Sequence, residues 1–340
     1  MRAASVTLST LTLGACVAPP TRPPPPAPMV AKTPAPAVVP FAPPVVTPTL
    51  IAASPWEILR NRFTMADCDY RAQVVHWARR YTVNPKRFAG NLEQALPFLL
   101  LVADQIEQRN LPGEFALLPY VESRYRPLRA KGNRPAGMWQ IMPMTARAIG
   151  LTISRDYDAR LDALASTAAA LTLLARYHDE FGDWRLADMA YNAGEYRLKH
   201  ALGARDGKAL SADQLAHLKL SPITIQHLDK LLAMACVIRN PARFEVTLPD
   251  ADPGRALRAV DLDAGMDLRV AANLAGMDIR DVRRFNAGYR HLHSTVPPLH
   301  LMLPARRLAQ FRVAADALPR TSWAEWHGEA EAGSAAASAH

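Results

Sequence analysis

The chain has only three cysteines in 340 residues, too few for the disulfide framework of a small secreted scaffold. Beyond the N-terminus no run of about 18 uncharged apolar residues occurs, which excludes a protein of several membrane spans. Zinc-ligand spacings, a basic–aromatic RNA signature and a basic-leucine pattern are all missing, so nothing supports nucleic acid as the partner. The net charge of +9, carried mostly by arginine, therefore points to another anionic partner, a lipid surface or an acidic polymer. What is there is a hydrophobic fraction of 49%, enough to bury a core and to exclude a wholly disordered chain. At roughly 150 residues per domain, the length suggests about two domains.

The two ends are not expected to belong to the fold. Arg2 and the mildly apolar stretch Val6 to Leu13 read as an export signal over 1–15, closing on Leu13-Gly14-Ala15-Cys16. Small residues before a cysteine suit a signal peptidase, and the thiol is a nucleophile for acylation. The tetrapeptide resembles a bacterial lipobox; an ordinary secretory signal is the alternative. Under the lipobox reading Cys16 is the lipidated mature N-terminus, and several acyl chains anchor more firmly than one. Val17 rather than an aspartate follows, which resembles lipoproteins sent to the outer membrane, facing the periplasm. Residues 16–53 are rich in Pro, Ala and Val, a composition that cannot form helix or sheet core and predicts an extended linker. At roughly 3 Å per residue, its length reaches up to ~100 Å from a membrane. At the other end, 319–340 is expected to be a disordered tail, with the Ala/Glu/Ser-rich stretch from Gly328 fraying.

Between Trp56 and Arg243 the apolar residues recur with a helical period. Leu92, Leu96, Leu99, Leu100 and Ile106 share one face, as do Leu161, Leu164, Ala165, Ala168 and Leu171, and Leu228, Leu231, Leu232, Ala235 and Ile238. Gly182-Asp183 and Asn240-Pro241 punctuate them. Near the C-terminus the pattern changes. Leu257 to Val260 alternates like a strand, Leu268 to Leu274 and Ile279 to Phe285 read as short helices, and Leu299 to Leu303 alternates again. The fold class is thus mainly α, with a small C-terminal α+β module of strand–helix–helix–strand order.

Three segments carry chemistry. Leu117 to Ser123 ends an apolar helical run on Glu122; Ala136 to Pro143 sets a glycine before Met138-Trp139 and a lone amide, Gln140; Ala190 to Gly194 places Tyr191 and Asn192 at a helix end. A glutamate on an apolar face is expected to keep its proton, because desolvation disfavours the carboxylate. That is the state of a general acid aimed at a glycosidic oxygen. A sugar polymer also needs amides, hydroxyls and an aromatic wall, which Gln140, Tyr191 and Asn192 supply. Taken singly, Glu122 reads as a surface carboxylate, Tyr191 and Asn192 as a helix cap, and Met138 and Trp139 as core; it is the three together that point to a site.

Those motifs, in that order and spacing, resemble family 1 lytic murein transglycosylases, whose catalytic fold is like goose-type lysozyme. Glu122-Ser123 is followed fifteen residues on by Gly137-Met138-Trp139-Gln140, and later by Ala190-Tyr191-Asn192-Ala193-Gly194. The likeness extends through Pro55-Trp56-Glu57, Leu111 to Pro119, Tyr157 to Arg160 and Ala165 to Leu171, covers about 56 to 245, and is closer to the D-type membrane-bound members. The resemblance implies an N-terminal helical segment over 54–110 packed on a catalytic domain at 111–248. It implies cleavage of the β-1,4 bond between N-acetylmuramic acid and N-acetylglucosamine, with Glu122 as acid and then base and a 1,6-anhydromuramoyl product. Ser123, Met138, Gln140, Tyr191 and Asn192 would bind substrate or support the groove, and Tyr191 is expected to touch Glu122. The implied partner is the peptidoglycan glycan strand, without cofactor or metal; partners in wall synthesis or secretion machinery are left open. Asp156, Asp158, Asp162 and Glu195 are assigned to structure or solvent.

The chain departs from that pattern in places. Where the family often carries Glu-Thr and then a tyrosine, it has Ile223-Thr224-Ile225-Gln226-His227, so the acid and the tyrosine look replaced by Ile223 and His227. Arg124, Tyr125 and Arg126 are more basic than usual there and either meet wall carboxylates or form a solvated surface. Residues 255–318 resemble a degenerate LysM module, or serve only as a packing extension; the loop His291 to Pro298 is unlike the usual one. His291, His293 and His300 have no acidic or cysteine partner at a ligand spacing and read as loop polars. Cys68 and Cys236 sit among apolar helical residues, so free buried thiols are favoured over a pair. A non-catalytic wall-binding scaffold and a hydrolytic lysozyme are the alternatives to the transglycosylase.

Overall fold

The computed structural model describes residues 54–65, 67–205, 210–294 and 298–324, all within the compact unit Ile51–His340. The signal, Cys16, the linker, Thr295 to Pro297 and the chain after Ala324 lie outside the described residues.

Helix α1 (Pro55–Asn61) starts on a reciprocal cap. The Ser54 hydroxyl accepts from the Glu57 amide, and the Glu57 side chain accepts from the Ser54 amide, with proline in the first turn. Helix α2 (Ala72–Tyr81) leads to α3 (Pro85–Arg109), which Asn84 caps and the left-handed Asn110 ends. Pro97 is carried inside α3. A 3-10 turn at Gly113–Leu117 runs directly into α4 (Leu118–Ser123). After α5 (Pro143–Ala148), Asp162 caps α6 (Ala163–Phe181) by accepting from the Ala165 amide. Gly182 ends α6 in the left-handed region, and Asp183 caps α7 (Trp184–Ala193). Helices α8 (Glu195–Leu202) and α9 (Ala212–Ala216) are short; α10 (Pro222–Arg239) is buried along nearly its whole length. It packs against α2 and α7, while α6 packs against α7 and α3. A helix apolar on most sides belongs in the middle of a body, and that is where α10 lies.

Strand β1 (Leu257–Asp261), α11 (Leu268–Ala275), α12 (Ile279–Phe285) and β2 (His300–Pro304) form the expected strand–helix–helix–strand unit. The strands pair antiparallel, Leu257 opposite Pro304 and Asp261 opposite His300. Helix α13 (Leu308–Asp316) packs on α11. This unit is docked on the helical body by buried and polar contacts together. Phe285 meets Phe98 edge-on, Tyr289 lies 5.3 Å from Tyr157 between ring centres, and Arg258 pairs with Asp104 at 2.9 Å. Asp158 donates its amide to the Gly288 carbonyl and accepts from Arg290, and His300 contacts Asp162 at 2.8 Å.

Several expectations need correction. His300 is no loop polar: it opens β2, buried against Asp162 at 2.8 Å. The tail does not begin at 319: Arg320–Trp323 forms a 3-10 turn, Trp323 is buried, and its carbonyl accepts the Asp267 amide. Cys68 and Cys236 form a disulfide rather than free thiols, since the packing of α10 brings their Cα atoms to 5.1 Å. Tyr125 is neither surface nor groove. It is fully buried, with its hydroxyl donated to the Ala116 carbonyl.

Candidate active site

Glu122 is the penultimate residue of α4. The helix stops there because Arg124 and Tyr125 both take left-handed backbone, with φ of 56° and 59°. The stop turns Tyr125 inward and leaves Glu122 at the helix mouth, its side chain 16% exposed. Glu114, the nearest other acid along the sequence, is wholly buried; its Oε1 accepts from the Met65 amide, and burial raises its pKa to about 7. Only Glu122 of the two can reach a bound polymer.

A tight turn at residues 137–140 is tied to α4 from the side. The Ser123 hydroxyl donates to the Met138 carbonyl at 2.8 Å. Gly137 is needed here: its φ is 79°, and a Cβ would fall 1.8 Å from the Arg160 carbonyl oxygen. Gln140 also has a positive φ, of 49°, held by its own amide donating to the Gly137 carbonyl. Trp139 points into the core, where its indole N–H donates to Thr167 at 3.0 Å, and Met138 is buried beside it. Arg160, ion-paired with the buried Asp158, donates to the carbonyls of Arg134 and Ile141 and so braces the turn from behind.

The end of α7 closes the other side. Tyr191 donates its hydroxyl to the Trp139 carbonyl at 2.7 Å, so the expected direct bond to Glu122 is not made. Tyr191 still lies in the field of that carboxylate: burial and then the Glu122 charge hold its pKa well above the usual value. Asn192 accepts from the Thr224 hydroxyl at 2.9 Å, joining α7 to the start of α10. Beyond this pair a cleft of about 560 Å³ opens, lined among others by Tyr196, Arg197, His200, Lys219 and the exposed Ile223.

The partner of Glu122 is His227. Its Nε2 lies 3.0 Å from Glu122 Oε1, and its Nδ1 lies 3.1 Å from Oδ2 of Asp188, a residue with no exposed surface. Burial alone would lower the imidazole pKa; the Asp188 carboxylate and then Glu122 outweigh it and push it up to about 10. Sequence reading noted His227 only as a departure and passed over Asp188. The signal was present: three polar residues, Asp188, Thr224 and His227, interrupt otherwise apolar helix faces. The other acids are engaged elsewhere, Asp158 with Arg160 and Arg290, Asp162 with His300, Glu195 with Lys199 and Arg176. His291 and His293 lie near Asp156 and Asp267.

Comparison with known proteins matches two parts of this chain. Residues 102–213 match the transglycosylase SLT domain, and residues 256–320 match the LysM-like domain described for the lytic transglycosylase MltD. The chain is 38% identical over 223 residues to the membrane-bound lytic murein transglycosylase D of Escherichia coli K12, covering 64% of this chain and 49% of that protein. The same protein of E. coli O6:H1 (strain CFT073) matches with the same figures. The chain thus spans about half the length of these relatives. It carries a lysozyme-like SLT domain, and the strand–helix–helix–strand unit is LysM-like.

Proposed function

We propose that the chain is a peptidoglycan lytic transglycosylase, cleaving the β-1,4 bond between N-acetylmuramic acid and N-acetylglucosamine. The observation that carries this reading is Glu122, held at the mouth of α4 within the segment that matches the SLT domain, with His227 at 3.0 Å and Tyr191 in the field of its carboxylate. Glu122 protonates the bridging oxygen, and the C1–O bond breaks with its electron pair on the departing sugar. The positive charge developing at C1 is eased by the muramic acid's own N-acetyl oxygen. Glu122, now a carboxylate, takes the proton of the C6 hydroxyl, whose oxygen closes on C1 to give a 1,6-anhydromuramoyl end. The hydroxyl is already tethered, a proximity advantage that favours it over water. One carboxyl acting twice needs no second acid at a fixed spacing.

Ser123 and Met138 support this geometry from behind through the hydroxyl–carbonyl bond, while Gln140, Tyr191 and Asn192 line the sugar path. The replacements at Ile223 and His227, taken alone, favour a non-catalytic scaffold; the 3.0 Å contact of His227 with Glu122 supports a role beside the acid. Among the described residues no helix is long and apolar enough to cross a membrane. Attachment to the outer membrane by a lipid at Cys16, facing the periplasm, is the localisation we propose. The test is mass spectrometry of soluble fragments released from purified sacculi. Anhydro-ended muropeptides are expected; products heavier by one water would make the protein a hydrolytic lysozyme, and binding without release a scaffold.

A further inference from the structure

His227 stands where the resembled family often carries a tyrosine, and a tyrosine could offer one hydroxyl. An imidazole offers two nitrogens, and here each faces an acidic oxygen, Glu122 at 3.0 Å and Asp188 at 3.1 Å. Asp188 has no exposed surface, and its other oxygen, Oδ1, has no hydrogen-bond partner among the described residues. Its charge is therefore balanced through His227, and a buried charge needs such a partner. The groups around the ring come from three elements. Glu122 faces it from α4 and Asp188 from α7, while Tyr191 of α7, which lies in the field of both acids, has its hydroxyl committed to Trp139. On α10 itself Asp229 turns instead to Arg71, at 3.5 Å.

We infer that His227, oriented by Asp188, is the positioning residue that stores the proton Glu122 delivers. The inference rests on the transglycosylase reading above. At neutral pH the three groups share two protons. They sit either on both ring nitrogens, with Glu122 a carboxylate, or on Nδ1 and Glu122, with the ring neutral. One hop across the 3.0 Å contact interconverts the two. When a glycan strand covers the cleft, loss of water penalises the ion pair and favours the neutral arrangement, which is the loaded acid. Glu122 then gives its proton to the bridging oxygen. The C6 hydroxyl returns a proton to Glu122 as the O6–C1 bond forms, and the hop back to Nε2 restores the starting state. Protons and electron pairs balance with no outside base. The two-proton state is lost only when the charged ring gives a proton up to solvent, which the raised imidazole pKa of about 10 places well above neutral.

The test is the pH profile of muropeptide release by wild type, His227→Gln and Asp188→Asn. The alkaline limb of the wild type is expected at about pH 9 or above, and to move down by about two units in both variants. A uniform loss at every pH, or an unmoved limb, would reduce His227 to a structural role. Asp188→Asn keeps a hydrogen-bond acceptor for Nδ1, so it reports on the charge even if His227→Gln folds poorly. Nitrogen NMR of the His227 ring gives a readout independent of turnover. At about pH 7 both ring nitrogens are expected to be protonated, and the titration to move down in Glu122→Gln. A neutral ring in the wild type would overturn the inference, whereas a charged ring in a protein that cuts no glycan would fault the transglycosylase reading alone.

Discussion

The hydroxyl of Ser123 and the carbonyl of Met138 are 2.8 Å apart, and that bond fixes the mouth of α4 against the turn that carries Gln140. Ser123 itself is buried, so its place is behind Glu122 rather than against the sugar. Ser123→Ala leaves the Met138 carbonyl without this donor and should cost about 1–2 kcal/mol of stability. Because Glu122 is the adjacent residue, turnover should fall by about tenfold as the acid loses its alignment. Thermal melts and release rates on sacculi check both; a change in the melt without a change in rate would detach Ser123 from the site.

Gly137 admits no side chain. Its positive φ and the 1.8 Å approach of a built Cβ to the Arg160 carbonyl act together. Gly137→Ala is expected to destabilise by more than about 2 kcal/mol, seen as a lower melting temperature or loss of soluble protein. A variant with unaltered melting would mean that the turn can open without harm.

The Cys68–Cys236 disulfide closes a sequence separation of 168 residues and ties the segment before α2 to α10. Reduction, or Cys68→Ala, should lower stability by about 3 kcal/mol or more. Alkylation of the unreduced, unfolded protein followed by peptide mapping should label neither Cys68 nor Cys236.

Asp162 and His300 link the helical body to the LysM-like unit at 2.8 Å. Burial opposes the charge on each. The bond and charge of His300 nevertheless hold Asp162 below its ordinary 3.8, and Asp162 in turn holds His300 above 6.5. The carboxylate's contribution is lost as pH falls below 3.8, and the imidazolium's as pH rises from 6.5 through the raised value. Stability from this pair is therefore full between about 3.8 and 6.5 and declines on either side, with falling pH as the carboxylate is protonated and with rising pH as the imidazolium is lost. His300→Gln should lower stability near pH 6 by about 1–3 kcal/mol and remove that alkaline decline, measured by denaturant unfolding at a series of pH values. An unchanged slope in the variant would assign the decline to another group.

Periodicity and spacing carried much of the architecture. The α3 and α10 faces, the glycine stop at Gly194 and the order of the C-terminal unit were readable because each is a local pattern of apolar residues and caps; on α6 the expected Leu164, Ala165 and Ala168 are only half-buried, and the buried face runs through Ala163, Ser166, Thr167, Ala170 and Leu171. The candidate site was legible as three segments, the one that carries Glu122 and two others that the bonds from Ser123 to Met138 and from Tyr191 to Trp139 join to it. Its wiring was not. Tyr191 bonds Trp139 rather than Glu122, and His227 reaches Glu122 across 105 positions of sequence. Such contacts depend on how α4, α7 and α10 pack, which no local pattern encodes. The disulfide was misjudged for the same reason: apolar neighbours say that a cysteine is buried, not what lies opposite. The ordered stretch around Trp323 was hidden because a single buried aromatic in a polar segment has no periodicity.

The role of Glu122 is tested most directly by digesting purified sacculi with wild type and Glu122→Gln side by side and weighing the soluble products. The account expects anhydro-ended muropeptides from the wild type and essentially none from a variant that folds as well. Equal release by the two proteins would contradict it.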